Sequence, residues 1–374
     1  MSWTRARVAA AVCLFSASAG ALHFSGRYEN QLSVLDYRSG LALLDRNGLR
    51  LELEAVPTSR VRLDAAAWLQ TFHGATELSA ADLLPEYFAD SIPDSVLQSL
   101  VFRFTDEFVL DRAFVSVRWT GINVKIGKQP LAWGVGYVWN PTEIIQAKSF
   151  LDPEYERLGQ NAVRVEFPVF GPSLQAMFLP GQDLDVSQFI ARAEWNVAGI
   201  DIGLTGCRRP WPDSSVEYFA GGQFKGELLW LGIWSEGAYH WPDGQDRFWQ
   251  LCAGADYSLP WRTYLLLEYL HNSSGSIGSY APDDWLKAAL TGQSLGQDYA
   301  LGLVSQPVLD FHQVGAGAAV NLNDRSLVVF PRLYLGLTDD LDLDCYLLFS
   351  IGGNRTEFGG PGVNGGVARL TLHF

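Results

Sequence analysis

Residues 49–69, LRLELEAVPTSRVRLDAAAWL, decide the fold because apolar and polar side chains alternate on both sides of one short turn. In Leu49–Ala55, leucine and alanine alternate with one arginine and two glutamates. Val61–Leu69 shows a similar alternation after the turn at Pro57-Thr58-Ser59. Successive side chains of a β-strand point to opposite faces, so each segment predicts a strand with one apolar and one mixed or charged face. The stretch therefore predicts an antiparallel hairpin.

Alternating segments recur along the rest of the chain. About eighteen can be counted, near residues 22–35, 46–56, 60–73, 107–119, 122–128, 161–168, 172–180, 188–197, 199–208, 216–226, 229–241, 247–259, 262–272, 298–306, 312–322, 326–337, 341–352 and 364–374. The clearest runs have about 9–13 residues, the length at which a tilted strand crosses a bilayer. Charge on one face of such a strand belongs in a lumen, because charge facing lipid is costly. The predicted fold class is all-β, a transmembrane antiparallel β-barrel of about 18 strands.

Connection lengths support the barrel independently of the strand faces. Even-numbered connections are short turns, such as Thr120-Gly121 and Ala198-Gly199, whereas long connections are odd-numbered and lie near 74–106, 129–160 and 273–297. Bacterial outer-membrane barrels combine short periplasmic turns with longer outer loops. Asn323-Asp324-Arg325 is unusually short for an outer loop, so a count of 16 strands stays open beside 18.

The first 21 residues resemble a secretory signal peptide. Arg5 and Arg7 precede the short apolar run Val8–Phe15, and small residues up to Ala21 offer cleavage sites. We expect cleavage near Ala21, which leaves 22–374 as a single transmembrane β-barrel. No later apolar run approaches the length of a membrane-spanning helix. An exported chain with short alternating apolar segments indicates the outer membrane of a diderm bacterium.

Composition and motif content argue against several other functions. Without Arg5 and Arg7 the chain has 25 basic and 41 acidic residues, and no basic patch is available for nucleic acid. Cys207, Cys252 and Cys345 are too widely spaced for a CxxC metal site. The sequence contains no HExxH, GxSxG or P-loop motif. We therefore expect neither an enzyme nor a bound cofactor or metal.

Residues 129–160 form the connection best suited to a functional role. They lose all alternation and are rich in Gly, Trp, Pro and Asn. Loops of about thirty residues inside compact proteins are uncommon and usually functional. As the third outer loop, this connection is predicted to fold into the lumen as a constriction opposite charged inner strand faces. The constriction and lumen candidates are Lys128, Gln129, Trp133, Trp139, Asn140, Glu143, Arg50, Arg62, Arg112, Arg118, Arg164, Glu166, Arg192 and Glu194.

These candidates allow two compatible interpretations. Acidic loop residues opposite a basic wall would set a transverse field that selects solutes by charge and size. The same side chains would also hold the loop in place through ion pairs. The role of Trp133 and Trp139 is open in the same way, between stacking on sugar rings and pinning the loop through apolar contacts.

Gly127-Lys128-Gln129, Trp133-Gly134 and Asn140-Pro141-Thr142 form a spaced motif at the start of this connection. The motif resembles the G-K/R-Q…W-G…N-P-T stretch of porin-type outer-membrane barrels and, more loosely, of alginate-export-like barrels. The resemblance implies a porin-like channel for passive passage of small hydrophilic solutes or ions. Lys128 stands where the common pattern has arginine, and Glu143 where it has aspartate. The first exchange loses the bidentate reach of a guanidinium.

The final strand, Gly366–Phe374 (GVARLTLHF), alternates cleanly and ends in an aromatic residue. It resembles the C-terminal signature by which the barrel-assembly machinery takes up outer-membrane barrels. The expected partners are this machinery, outer-membrane lipid and small hydrophilic solutes, and a homo-oligomer is left open. The alternative functions are a surface-exposed adhesin or binding barrel and a component of envelope polysaccharide export, either one without general pore activity.

Overall fold

The computed structural model describes residues 21–374 except 38–39, 91, 93–100, 144, 146–157, 170, 212–214, 279, 292, 361 and 363. Eighteen long strands form one antiparallel sheet. They are β1 (Ala21–Tyr37), β2 (Gly40–Thr58), β3 (Val61–Gly74), β6 (Glu107–Trp119), β7 (Ile122–Gln129), β8 (Gln160–Pro168), β9 (Ser173–Leu179), β10 (Gln188–Val197), β11 (Ile200–Pro210), β12 (Val216–Leu228), β13 (Leu231–Pro242), β14 (Phe248–Ser258), β15 (Tyr264–Asn272), β16 (Asp298–Leu309), β17 (His312–Asn321), β18 (Ser326–Gly336), β19 (Leu341–Ile351) and β20 (Asn364–His373). The predicted count of 18 is confirmed, and the alternative of 16 is wrong.

The remaining elements lie in two long connections. One holds a two-stranded pair, β4 (Glu77–Ser79) and β5 (Val101–Arg103), with the short helices α1 (Ala80–Leu83) and α2 (Glu86–Ala89). The other holds α3 (Pro282–Thr291), in a connection that the sequence predicted only as a loop. Among the described residues, no helix is long and apolar enough to cross a bilayer.

The sheet closes on itself between its first and last strands. β1 pairs with β2 along one edge and with β20 along the other. At this seam the amide of Gly26 donates to the carbonyl of Phe374 at 2.9 Å, and the amide of Phe374 donates to the carbonyl of Gly26 at 3.0 Å. Among the described strands, closure leaves the 18-stranded sheet without an open edge, which is the condition for placing a sheet in the interior of a bilayer.

The two faces of the sheet differ as the alternation predicts. On β15, Leu265 and Leu267 point outward and are exposed, whereas Leu266 and Glu268 point inward and are buried. Leu267 is 63% exposed and Glu268 is 0% exposed. An outward face of exposed apolar side chains suits lipid, since lipid does not penalise apolar surface as water does.

The first hairpin is the largest departure from the predicted strand bounds. The sequence predicted strands at 22–35 and 46–56. β1 and β2 instead pair without interruption from the Ala21–Val56 pair to the Tyr37–Gly40 pair. Contacts along this long antiparallel pair outweigh the weak strand preference of individual residues in the predicted loop.

Candidate functional site

Residues 131–143 lie against the inward-facing side chains of the barrel, and one wall glutamate binds their backbone. Glu268 is fully buried on β15. Its carboxylate accepts hydrogen bonds from the backbone amides of Tyr137–Trp139 at 2.5, 2.9 and 2.9 Å, in chain order. The indole of Trp234 donates to the same carboxylate at 2.8 Å. Four donors around one carboxylate offset the cost of removing its charge from water.

A second buried glutamate holds the far end of this segment. The hydroxyl of Thr142 donates to Glu236 on β13 at 2.6 Å. Within the segment, the indole of Trp133 donates to the carbonyl of Thr142 at 2.6 Å. The amide of Trp133 donates to the Glu143 carboxylate at 2.9 Å. These bonds join residues 133 and 142–143 into a closed turn, which Thr142 fixes to the wall.

Gly134 is required inside this turn. Its φ of +96° lies in the region that glycine adopts without strain. A Cβ at this position would lie 2.5 Å from Oδ1 of Asn140. The amide nitrogen of the Asn140 side chain donates to the carbonyl of Val138 at 3.2 Å. The Trp-Gly and Asn-Pro-Thr parts of the sequence motif therefore contact each other across one folded turn.

Two apolar side chains of the segment contact different parts of the inner face. Leu131 packs in a buried cluster with Ala162 and Met177, on the side formed by β8–β13. Val138 packs in another buried cluster with Leu266 and Tyr346, on the side formed by β13–β20. The segment therefore extends from one side of the inner face to the other. We term the inner face of β13–β19, which carries both anchoring glutamates, the docking wall.

A β-bulge on β6 places a third buried carboxylate at the other end of the connection. The register between β3 and β6 shifts by one residue, so that Asp111 and Arg112 both point inward. Asp111 is 0% exposed and pairs with Arg50 at 2.7 Å. It also accepts the amide of Gly159 at 2.9 Å. The guanidinium and the amide together compensate the buried charge.

The inner face of β2, β3 and β6–β10, which we term the ion-pair wall, carries a row of arginines with acidic neighbours. Four of the pairs join residues two apart on one strand. They are Arg50–Glu52 at 2.6 Å, Arg62–Asp64 at 2.8 Å, Arg164–Glu166 at 3.5 Å and Arg192–Glu194 at 2.7 Å. Alternation places residues i and i+2 on the same face, so the charge pattern of the sequence produces these contacts directly.

Lys125 differs from the arginines of the ion-pair wall. It lies on the inward face of β7, opposite Arg164 in the β7–β8 register. Its ammonium lies 5.6 Å from the centre of the Phe114 ring. Within the part of the chain that the structure describes, no carboxylate lies within ion-pair distance of Lys125. Lys125 therefore contributes a positive charge that its neighbours do not neutralise by direct contact.

Comparisons with known proteins match this geometry by structure and not by sequence. No family model and no curated protein sequence matches the chain. OccK2 (OpdF) of Pseudomonas aeruginosa, solved with glucuronate, superposes with a TM-score of 0.61 at 11% identity, over 94% of this chain and 98% of that one. The fold is that of an outer-membrane porin barrel.

Two further outer-membrane structures agree with this porin fold. OpdK of Pseudomonas aeruginosa has 12% identity and a TM-score of 0.59, over 95% of this chain and 98% of its own. OccAB1 of Acinetobacter baumannii has 10% identity and a TM-score of 0.59, over 96% of this chain and 99% of its own. Likeness at these identities concerns the fold. The loop motif and the looser alginate-export resemblance stay predictions.

The structure brings some of the predicted site residues into contact with the segment or the inner face and leaves others apart. Trp133 and Arg192 lie together, with the guanidinium 6.0 Å from the centre of the indole. Gln129 is buried and donates to the carbonyl of Ala162 at 3.0 Å, which ties β7 to β8. Lys128 pairs with Asn161 in the outward row of the sheet, apart from the inner arginines. Arg118 is exposed beside the short turn to β7.

Glu236 and Glu268 are absent from the residues that the sequence predicted for the site. A signal was available in the sequence. In Tyr264–Asn272, YLLLEYLHN, Glu268 stands directly between Leu266 and Leu270 on the inward row. A carboxylate between two buried leucines requires a partner, because acidic residues are almost never fully buried unless paired.

Proposed function

We propose that the chain is an outer-membrane channel for passive passage of small hydrophilic solutes, with residues 131–143 as its constriction. The observation that carries the proposal is the binding of the Tyr137–Trp139 amides by Glu268. The connection follows β7, yet it is fixed to β15, which lies well around the barrel from β7. A barrel of this strand number encloses more space than its own inward side chains fill. A segment fixed to a distant inner face narrows the path through that space.

The ion-pair wall provides a hydrophilic surface on the side of the solute path that faces the segment. Its arginines and carboxylates offer donors and acceptors that replace part of the hydration shell of a solute. Pairing keeps the net charge of the wall low, while Lys125 adds one positive charge without a direct partner. OccK2 was solved with glucuronate and OpdK with vanillate, both of which carry a carboxylate group. We propose a weak preference for anionic over cationic solutes.

The location and partners belong to the same proposal. We propose that residues 1–21 are a signal peptide, of which residues 1–20 lie outside the described part of the chain. The exposed apolar outward face supports contact with outer-membrane lipid. Phe374, at the closing seam, is the proposed contact with the barrel-assembly machinery. A homo-oligomer remains an open prediction.

Conductance of the refolded full-length barrel in a planar bilayer tests the function. We expect stepwise single-channel currents, and a larger step after deletion of residues 133–143, which removes the proposed constriction. The control is deletion of 182–185, an exposed part of the β9–β10 connection. That control leaves the step size unchanged.

Two results would count against the proposal. A refolded barrel with native β-sheet content and no current would favour the adhesin or polysaccharide-export alternatives. An unchanged or smaller current step after deletion of 133–143 would remove the constriction role while leaving a channel. Circular dichroism of each variant separates these results from a failure to fold.

A further inference from the structure

A cavity lies on the docking wall, beside residues 131–143 and toward the short-turn end of the barrel. Its volume is about 480 Å³, and its lining includes Tyr137, Tyr264, Phe330, Arg332 and Tyr346. This volume falls within the range of small-molecule sites, which combine aromatic surface with a few polar groups. Because Tyr137 belongs to the segment itself, the cavity is directly next to the proposed constriction.

The cavity owes its shape to glycines on β17. Gly315 and Gly317 occupy successive inward positions, so the wall lacks side chains there. A Cβ on Gly317 would lie 2.1 Å from a ring carbon of Phe330 and 2.4 Å from Cδ2 of Leu303. The Phe330 ring therefore packs directly on the backbone of Gly317 and provides an apolar floor.

The charged groups around the cavity already have partners. Arg332 donates two parallel hydrogen bonds to Asp344, at 2.8 and 2.9 Å. The hydroxyl of Tyr264 donates to Asp256 at 3.0 Å. A carboxylate ligand would compete with Asp344 for the guanidinium, and a cation would meet that guanidinium at short range. The paired charges therefore favour a neutral solute.

Two polar side chains in the lining have hydrogen-bonding capacity left. Ser305 and Gln313 face the cavity, and within the described residues their side chains make no hydrogen bond. With Arg332 they place donors and acceptors around an aromatic lining. A sugar ring has apolar C–H faces and a rim of hydroxyls, so it contacts the rings and these polar groups at the same time.

We infer that this cavity binds a neutral, hydroxyl-bearing ring of monosaccharide size. The inference rests on the proposed function, because it treats the cavity as a transient binding site along the solute path. Binding at such a site is weak, since a solute must both enter and leave. We expect a dissociation constant of about 1–10 mM.

Equilibrium dialysis of the refolded full chain with radiolabelled methyl β-glucoside measures the binding. Ser305→Phe fills the cavity and Gln313→Leu removes a polar contact, and each raises the dissociation constant about tenfold. Tyr239→Leu, on the outward face, leaves the constant unchanged. Circular dichroism confirms that each variant has folded, and bilayer conductance of the same samples reports the channel separately.

The outcomes distinguish this inference from the channel proposal. A conducting barrel that binds no glucoside up to about 100 mM overturns the inference and leaves the channel intact. Glucoside binding that Ser305→Phe weakens about tenfold supports the cavity even where no current flows. Tighter binding of benzoate or choline than of the glucoside overturns the assignment of a neutral ring.

Discussion

The docking wall and the ion-pair wall use charge in opposite ways. On the ion-pair wall, arginines pair with carboxylates two residues away on the same strand, and many of these groups stay partly exposed. On the docking wall, the buried carboxylates of Glu236 and Glu268 have no arginine two residues away on their strands, and both bind a segment from another part of the chain. The difference shows that repeated charge along a strand marks a hydrophilic surface. At Glu236 and Glu268, a buried carboxylate without a neighbouring arginine marks a contact with a distant segment.

The largest expected effect comes from removing the anchor of the docking wall. Glu268→Ala leaves three backbone amides and the Trp234 indole without their acceptor, at about 1–3 kcal/mol for each buried donor left unsatisfied. We expect the segment to leave the wall and the single-channel current to rise. Glu268→Gln keeps one acceptor oxygen and should raise the current less. An unchanged current in Glu268→Ala would show that this contact does not position a constriction.

The second test compares a buried with an exposed pair on the ion-pair wall. Arg50→Ala removes the closest cation from the buried carboxylate of Asp111, which keeps only the Gly159 amide and the more distant Arg112 at 3.7 Å, so we expect the free energy of unfolding to fall by about 3–5 kcal/mol. The matched control is Arg62→Ala, where the arginine side chain is 53% exposed and the expected loss is about 0–1 kcal/mol. Equilibrium unfolding of the refolded barrels in urea measures both. Equal losses would show that burial does not distinguish the two pairs.

A third test concerns the long-loop end of the docking wall. Burial raises the pKa of Glu357 to about 7, although Tyr299 and Asn321 each donate to its carboxylate at 2.6 Å. A raised pKa in the folded state stabilises the fold while the carboxyl is protonated. This contribution is lost as the pH rises through about 7.

Hydrogen exchange measures this effect in residues 352–360. After correction for intrinsic exchange, we expect weaker amide protection at about pH 8.5 than at about pH 5.5. Glu357→Gln, which cannot ionise, should make the protection independent of pH in this range. Persistence of the pH dependence in that variant would show that Glu357 is not its source.

The smallest expected effect tests Lys125, for which the described residues provide no ion-pair partner. Lys125→Gln should shift the anion-to-cation permeability ratio toward cations by about twofold, with a larger shift at low salt where screening is weak. The reversal potential in a salt gradient measures this ratio. The matched control is Arg60→Gln, which removes one positive charge at an exposed turn. An equal shift in both variants would mean that the effect depends on total charge and not on the position of Lys125.

Alternation predicted most of the barrel because lipid and lumen impose opposite demands on neighbouring residues. The structure places Arg50, Arg164 and Arg192 on the ion-pair wall, each beside a carboxylate two residues away. Alternation could not predict the position of Asp111, because the bulge on β6 breaks the period of two. The loss of alternation and the motif predicted residues 129–160 as a constriction loop, which stays a prediction. The binding of the Tyr137–Trp139 amides to Glu268 could not be predicted from the local sequence pattern, since the partners are about 130 residues apart.

Glu268 recognises main-chain amides, and every residue except proline offers the same amide. The hydrogen bonds to Glu268 therefore specify no side chain at 137–139, and Val138 is held separately in its buried cluster. Substitutions at Tyr137, which lines the cavity, alter what a solute contacts while the backbone amide that binds Glu268 is kept. Main-chain amides thus set the position of the segment, whereas side-chain atoms set which solutes contact it favourably. Single substitutions at the cavity can therefore change which solutes the barrel prefers while the position of the segment is kept.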